Sequence, residues 1–177
     1  MTLFRTIAIA AAFTAASAFA TTAAERPPEV QQMASSARQV GEAQYQFLAW
    51  RLFDAALWSE TGVFAWDEPF ALTLTYRRRF STQDLTNRTL SEMSGRGAGD
   101  AASLAPLAAR LRACFADVAP GDRITGVSTG TNSARFYFNG RQRCEIRWPG
   151  FQRSFFGIWL DASGSDQALS NQLKGRA

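Results

Sequence analysis

Apolar and polar residues alternate from Val40 to Trp58, which is the pattern of a β-strand with one buried face. The apolar side of this alternation carries Ala43, Tyr45, Phe47, Ala49, Phe53, Ala55 and Leu57. Arg51 is the single interruption of this side. After turn-forming residues at 59–62 and 67–69, the same period returns over 70–80, where Phe70, Leu72, Leu74, Tyr76, Arg78 and Phe80 share a side. These stretches predict a first long strand and a second strand.

The stretch after Phe80 has the residue spacing of helices. Ser81 and Asp84 form a start like a capping box and predict a helix over about 82–94, which ends in a glycine-rich stretch. A further helix is predicted over about 101–116, from the spacing of Leu104, Leu107, Leu111, Cys114 and Phe115. Pro120 and Gly121 end it.

Asn139-Gly140 is the strongest hairpin signal in the chain. A plain two-residue turn would pair Phe136 with Arg143 and mix aromatic and charged side chains on one face. A three-residue loop or a bulge would shift the pairing by one residue, and we therefore predict an odd-numbered loop. The shared face then carries Ala134, Phe136, Cys144 and Ile146.

A short aromatic stretch near the end of the chain predicts a helix over 151–160. Its apolar stripe is Phe151, Ser154, Phe155, Ile158 and Trp159, widened by Phe156 and Leu160. A helix that is apolar on most sides is expected to be buried across the sheet. With a last helix over about 165–173, the order of elements indicates an α+β fold with a large antiparallel sheet covered on one face by helices.

The first 20 residues have the layout of a secretory signal peptide. Arg5 precedes an apolar run at 7–13, and Ala18 and Ala20 form a cleavage site. We expect a mature chain that starts near Thr21, with 22–24 as a second possible cleavage site, and a periplasmic or secreted location. Residues 21–39 are interpreted as a leader and 40–177 as the domain. No later stretch reaches the roughly 20 apolar residues of a membrane span, so no stable membrane insertion is expected.

The composition excludes several classes of protein. The chain has no histidine, which excludes Ser-His-Asp and Cys-His hydrolases and disfavours a zinc enzyme. We therefore expect neither a metal site nor a cofactor. The net charge of +4 is spread along the chain, and the only dense basic cluster is at 76–80. This distribution disfavours nucleic acid as a partner.

Cys114 and Cys144 are the two cysteines of the chain. In an oxidising compartment they are candidates for a disulfide. They are equally compatible with two small buried apolar residues, because free cysteine is often buried.

Candidate binding residues are polar groups on apolar faces. Arg51 and Arg78 would each need an anion if buried, and the carboxylate of a ligand would satisfy a guanidinium. Alternatively, a bulge or twist turns them to solvent, or each pairs with a carboxylate of the chain, Asp54 or Asp84. Tyr76 is a candidate donor beside Arg78.

Aromatic residues of the late helix are candidates for a second part of the site. Phe155 and Trp159 could line a cleft for a flat or acyl ligand. The alternative is ordinary packing in the core.

Five segments, taken in order, resemble the bacterial, secreted branch of the chalcone isomerase-like proteins. They are VGEAQYQFLAWRLFDAALW, PFALTLTYRRRFS, PGDRITGV, ARFYFNGRQRCEI and FFGIWLD. The resemblance covers about residues 40–175. It implies a large antiparallel sheet, helices on one face and a ligand cleft between them. Plant members of the family cyclise chalcones to flavanones, whereas other relatives bind fatty acids without catalysis.

The resemblance also implies where the polar groups of a site would lie. Family members use an Arg shortly after the Gly that opens the first long strand, and here Gly41 is followed by Gln44 at that position. They also use a Tyr from the helical segment after the second strand, and this chain has none between Phe80 and Ser94. Both departures count against the isomerase chemistry.

The leading hypothesis from the sequence is a periplasmic, non-catalytic binding protein for a small hydrophobic and anionic ligand, such as a fatty acid. One alternative is an isomerase of the chalcone isomerase type, in which an Arg stabilises an oxyanion. A second alternative is an interaction protein whose cleft is filled by its own side chains. The sequence leaves the oligomeric state open.

Overall fold

A computed structural model describes residues 25–162 and 166–176. The predicted signal peptide and its cleavage sites lie outside these residues, and so does the start of the last predicted helix.

The described part of the chain forms a six-stranded antiparallel sheet whose strands follow one another in chain order. The strands are β1 (Arg38–Phe47), β2 (Trp50–Ser59), β3 (Phe70–Tyr76), β4 (Arg123–Gly130), β5 (Ser133–Phe138) and β6 (Arg141–Arg147). The helices are α1 (Pro28–Met33), α2 (Thr82–Gly95), α3 (Ala101–Cys114), α4 (Gly157–Leu160) and α5 (Gln167–Leu173), and a π-helical segment (Gln152–Phe156) leads into α4. The predicted α+β class with an antiparallel sheet is confirmed.

The first predicted strand is in fact a hairpin of β1 and β2. The chain reverses at Leu48 and Ala49, so that Ala43 pairs with Ala55 and Tyr45 with Phe53. Leu48 takes a left-handed backbone conformation with φ of 53°, without the Gly or Asn that usually announces such a turn. Because apolar residues keep odd positions on both arms, the alternation concealed the reversal.

The second predicted strand is shorter than the alternation suggested. β3 ends at Tyr76, whose N–H bonds the carbonyl of Asp122. The chain then leaves the sheet, and Phe80 returns only as an isolated bridge to Val118. The basic residues between Tyr76 and Phe80 are therefore exposed.

Helices α2, α3, α4 and α5 and the π-helical segment cover one face of the sheet and enclose the main core. The predicted capping box at the start of α2 is present: the Ser81 hydroxyl accepts from the Asp84 N–H at 3.1 Å, and the Ser81 N–H donates to the Asp84 carboxylate at 3.2 Å. The large buried side chains of this core include Leu57, Phe70, Leu107, Leu111, Phe136, Ile146, Phe151, Phe156 and Leu160.

The late aromatic helix packs as closely on the sheet as its composition predicted. Phe151 and Phe155 stack with ring centroids 5.1 Å apart, and Phe156 meets Phe70 at 5.0 Å. A Cβ on Gly126 of β4 would lie 3.1 Å from the Phe156 ring. The absence of a side chain at this position therefore lets the helix lie against the strand.

The turn between β5 and β6 has two residues, not the predicted odd number. Asn139 and Gly140 both have positive φ, as a type I′ turn requires. The shift in register comes instead from a bulge at Arg143, whose Nε donates to the carbonyl of Cys114 at 3.0 Å. Phe136 then pairs with Cys144, so the expected face is formed by a bulge and not by a three-residue loop.

The opposite face of the sheet carries α1, which lies within the stretch interpreted as a leader. Its Val30 packs in a second, smaller core with Ala37, Trp58, Ala71, Val127 and Tyr137. The Glu29 carboxylate is fully buried. It accepts from Arg123 Nε at 2.9 Å and from the Thr125 hydroxyl at 2.6 Å. This ion pair anchors α1 to β4.

The two cysteines form a disulfide. Cys114 at the end of α3 is bonded to Cys144 in β6, with their Cα atoms 5.3 Å apart. The bond ties the helical layer to the edge strand of the sheet.

Candidate functional site

A cleft of about 540 Å³ lies between the helix-covered face of the sheet and the helical layer. Strands β1–β4 supply its floor, and α2, the π-helical segment with α4, and α5 supply most of its walls. The lining residues are Tyr45, Gln46, Phe47, Leu52, Phe53, Leu74, Tyr76, Phe80, Asp84, Leu85, Arg88, Thr89, Glu92, Phe115, Ile124, Phe155, Ile158, Trp159, Asp166 and Leu169.

The body of the cleft is apolar because it lies where the apolar sides of strands and helices face one another. Phe53 and Leu74 project from neighbouring strands, while Leu85, Ile158 and Leu169 reach in from three helices. A surface of this kind favours the hydrophobic part of a ligand.

A bulge in β2 decides which residues of the first hairpin reach the cleft. Tyr45 pairs with Phe53 and Gln46 with Arg51, so Leu52 is the extra residue. Both Leu52 and Phe53 line the cleft as a result. Beyond the bulge the alternation is reversed, and Arg51 lies with Asp54 and outside the cleft lining.

Two tyrosine hydroxyls belong to this mostly apolar space. The ring of Tyr45 stacks on Phe53 at 4.8 Å, and Phe53 contacts Tyr76 at 6.0 Å. The Tyr45 hydroxyl is buried and has no hydrogen-bond partner within the described residues. A ligand with an acceptor atom would give this hydroxyl the partner that it lacks.

Both hydroxyls are held in the neutral form. Burial raises the pKa of Tyr45, the charge of Asp166 raises it further, and Arg96 opposes part of this change. Burial alone raises the pKa of Tyr76. The two phenols therefore remain donors across the ordinary pH range.

The charged side chains of the cleft lie on its helical rim. Arg88 forms an ion pair with Glu92 at 2.6 Å, and its side chain is 79% exposed. Asp84 is the capping residue of α2, and the hydrogen bonds from Ser81 lower the pKa of its carboxyl. Asp166 completes this rim.

The structure places half of the predicted binding residues in the cleft. Tyr76, Phe155 and Trp159 line it, and all three are buried. Their role as ligand contacts stays a prediction.

Gln44, Arg51 and Arg78 do not line the cleft, in contrast to the expectation. Gln44 alternates with Ala43 and Tyr45 and so lies on the other face, opposite Asp54 in the register. Arg51 forms an ion pair with Asp54, which is one of the alternatives that the sequence left open. Arg78 lies beyond the end of β3, with its guanidinium 4.0 Å from the centre of the Trp50 ring.

Sequence reasoning missed the arrangement of several lining residues. Tyr45 shares its strand face with Ala43, and the pairing with Phe53 became visible only with the hairpin. Ile158 carried a signal, since it belongs to the predicted stripe of the aromatic helix. Leu52 carried only an indirect signal, since a bulge is one of the explanations that the sequence leaves open for the interruption at Arg51.

A smaller hollow of about 280 Å³ lies between the end of α2 and the π-helical segment. Its arginines are already engaged. Arg96 donates to the carbonyls of Ile158 and Asp161 at 3.2 and 3.1 Å, and Arg153 pairs with Asp161 at 3.2 Å while lying over Trp66. This hollow is a structural joint between α2 and α4.

Two further properties concern the described residues only. They contain no group of three or more metal-ligating side chains of the His, Cys, Asp and Glu types that could hold a metal ion. None of their helices has the length and apolar character to cross a bilayer.

Comparison with known proteins identifies a family with a matching sequence and a solved structure with the same fold. The family described as chalcone isomerase-like matches residues 56–175. A crystal structure of a fatty-acid binding protein from Arabidopsis thaliana shares the fold, with a TM-score of 0.62 and 8% identity over 79% of this chain and 87% of that chain. A comparison with curated proteins finds no match. The predicted family is thus confirmed, and the chain belongs to the chalcone isomerase-like family.

Proposed function

We propose that this protein is a non-catalytic, periplasmic binding protein that holds a hydrophobic ligand with an acyl chain, such as a fatty acid, in the cleft. The observation that carries the proposal is the cleft itself, about 540 Å³ of largely apolar space with two phenol donors. Small-molecule sites typically enclose about 300–1,000 Å³, so the cleft has room for a long chain.

The lining specifies a ligand with one small polar end. Tyr45 and Tyr76 lie on either side of Phe53 and offer neutral hydroxyls. A carbonyl or carboxyl oxygen would accept from them, while the aliphatic part of the ligand would contact residues such as Leu74 and Ile158. This arrangement matches the chemistry of an acyl compound.

The charge state of the bound head group follows from where the cations lie. Among the described residues that line the cleft, Arg88 is the only cation, and it sits on the rim paired with Glu92. An ionised carboxylate in the apolar interior would be desolvated without a cation. An acid would therefore bind with its carboxyl neutral and in contact with the tyrosines, or with an ionised carboxylate near Arg88.

Three observations support binding without conversion. Arg51 and Arg78, the candidates for stabilising an oxyanion, lie outside the cleft. The phenols are held neutral by burial and are poor bases. A structural neighbour, from Arabidopsis thaliana, is a fatty-acid binding protein. The open volume also argues against a cleft filled by its own side chains.

The proposed location rests on the N-terminal pattern together with the disulfide. Disulfides persist in oxidising compartments such as the bacterial periplasm and are rare in reducing ones. The bond between Cys114 and Cys144 is therefore what an exported protein would carry.

The first test fills the cleft. Leu85→Trp adds volume to a side chain of α2 that lines the cleft, and Leu90→Trp makes the same change on the same helix outside the lining. We expect Leu85→Trp to weaken the binding of a fluorescent fatty acid at least tenfold, whereas Leu90→Trp keeps the affinity of the wild type. Thermal unfolding of both variants checks that they fold. Equal binding by the two variants, or no binding by the wild type, would contradict the proposal.

A second measurement separates binding from catalysis. Native mass spectrometry of the protein recovered from its own cells is expected to show a bound acyl compound that is released unchanged on mild denaturation. Cyclisation of a chalcone by the purified protein, abolished in Tyr76→Phe, would instead favour the isomerase alternative.

A further inference from the structure

The turn between β1 and β2 exposes an unusual amount of apolar surface. Within the described residues, the large apolar side chains that are exposed are Phe47 (65%), Leu48 (82%), Trp50 (57%) and Val63 (68%). All but Val63 belong to this one turn. We call Phe47, Leu48 and Trp50, together with Arg51, Arg77 and Arg78, the hairpin tip.

The apolar residues of the hairpin tip are surrounded by positive charge. Arg78 lies over the Trp50 ring at 4.0 Å. Arg51 and Arg77 both contact Asp54, which is the only carboxylate paired with them in the described chain. The three arginines of the hairpin tip thus have one carboxylate among their ion-pair partners in the described chain, and the hairpin tip keeps a positive charge.

The hairpin tip is continuous with the mouth of the cleft. Phe47 is both exposed on the tip and part of the cleft lining. Its neighbours Gln46, which is exposed, and Leu52, which is half-buried, also line the cleft. A surface that receives the hairpin tip would thus lie beside the opening through which a ligand enters.

We propose that the hairpin tip docks on the surface of a bilayer that contains anionic phospholipids, so that an acyl ligand passes directly between the bilayer and the cleft. Tryptophan, phenylalanine and leucine favour the boundary between head groups and acyl chains, and arginine is attracted to anionic head groups. The passage of a ligand rests on the proposed function, whereas the docking itself does not.

The shape of the patch favours a lipid surface over a protein partner. The hairpin tip is a turn with three exposed apolar side chains, whereas a stable protein interface engages roughly 20–30 residues on each side. A turn of this kind inserts into a soft boundary layer without needing a complementary partner surface.

Charge also sets the orientation of docking. The helical rim of the cleft carries Asp84, Glu92 and Asp166 against Arg88, and an anionic bilayer would repel it. The strand side, with Arg51, Arg77 and Arg78, would face the head groups. Contact is then peripheral, through the hairpin tip alone.

The test measures co-sedimentation with vesicles of phosphatidylglycerol and phosphatidylcholine, and with vesicles of phosphatidylcholine alone. It uses the protein as recovered from its producing cells, with the N terminus established by intact mass. Leu48→Asn with Trp50→Ser removes two of the three apolar side chains and keeps Phe47, which also lines the cleft. Asparagine suits the left-handed backbone of position 48. Arg77→Ser with Arg78→Ser removes two charges. Val63→Ser with Arg112→Ser is the matched control, since both side chains are exposed and lie away from the hairpin tip.

The wild type and the control are expected to bind the anionic vesicles, and high salt should weaken this binding. The apolar pair of substitutions should lower the partition coefficient at least tenfold, and the arginine pair about fivefold per charge removed. None of the four proteins should differ in binding a free fluorescent fatty acid without vesicles. That readout separates a defect in docking from a defect in the cleft.

Other outcomes overturn the docking proposal. It fails if the control loses as much vesicle binding as the tip variants, or if the wild type binds no vesicles. A wild-type dimer in sedimentation velocity that becomes a monomer in the apolar variant would make the hairpin tip a self-association surface instead. Vesicle binding through the tip by a protein that binds no fatty acid would reject the proposed function and retain the docking.

Discussion

The position of one extra residue, Leu52, separates two chemically different surfaces in this protein. On one side of the bulge Phe53 faces the cleft, and on the other side Arg51 joins Asp54 away from it. Without the bulge, the alternation would have put a guanidinium into the apolar space. The unpaired hydroxyl of Tyr45 is the other decisive residue-scale feature, because an unsatisfied buried donor is costly unless something binds to it.

Tyr45→Phe tests that hydroxyl. Because the substitution removes a buried group that has no partner in the described chain, we expect the free protein to be as stable as the wild type or more stable by up to about 1 kcal/mol. Affinity for a fatty acid should fall about three- to tenfold, the loss of one hydrogen bond. Chemical unfolding and ligand titration measure the two effects.

Tyr137→Phe is the control for this pair of measurements. Tyr137 is buried on the other face of the sheet, outside the cleft lining. Its replacement should leave ligand affinity unchanged. Lower stability of Tyr45→Phe with unaltered affinity would show that the hydroxyl serves the fold and not the ligand.

Contacts between elements shape the cleft at the next scale. The edge strand β1 holds α5, and α5 supplies Leu169 to the wall. The close approach requires Gly41, since a Cβ there would lie 2.1 Å from the carbonyl oxygen of Gln172 and 2.7 Å from that of Leu173. Both contacts are to backbone, which cannot move aside without displacing the helix.

Gly41→Ala should therefore loosen α5. We expect a loss of about 2–3 kcal/mol in the free energy of unfolding, together with weaker ligand binding. Gly95→Ala is the control, because nothing lies within 4 Å of the added Cβ at the end of α2. That variant should be as stable as the wild type or gain up to about 1 kcal/mol. Equal urea midpoints for the two variants would refute the close-packing argument.

Over the whole molecule, the sheet is held from both sides. The helical layer and the disulfide secure one face, and α1 secures part of the other through Glu29, Arg123 and Thr125. Burial by itself would raise the pKa of the Glu29 carboxyl, but the hydrogen bonds from Arg123 and Thr125 outweigh it and hold the pKa below its usual value. The carboxylate is thus ionised in the fold where the unfolded chain would begin to bind a proton.

The sign of the pH dependence follows from that lowered pKa. The stabilisation by Glu29 is fully present above about pH 4.5, the ordinary pKa of the group, and is lost as the pH falls through the lower value in the fold. Glu29→Gln should therefore cost about 1.5–3 kcal/mol near neutral pH and clearly less near pH 3. Urea unfolding at both pH values measures the difference.

Glu68→Gln is the control for the pH series, since Glu68 is exposed in the turn before β3. Its stability should follow that of the wild type at every pH. A difference between wild type and Glu29→Gln that does not shrink in acid would contradict the role given to the ionised carboxylate.

Patterns in the sequence were sufficient to predict the family, the antiparallel α+β class and most of the helices and strands. The capping box of Ser81 and Asp84, the Asn139-Gly140 turn and the aromatic stripe of 151–160 each depend on residues within a few positions of one another. Such signals act through the backbone near them, and so they can be read from a single chain.

The reversal at Leu48, the bulge at Leu52 and the burial of α1 depended on the tertiary structure. The reversal keeps apolar residues at odd positions on both arms of the hairpin, so the alternation cannot reveal it. The bulge showed in the sequence only as the interruption at Arg51, which a twist or an ion pair would explain equally. Arg51 and Arg78 looked like interruptions of a buried face, yet the bulge and the early end of β3 place both outside the cleft. The cleft itself joins Tyr45 to Ile158, and only the packing of distant elements brings such residues together.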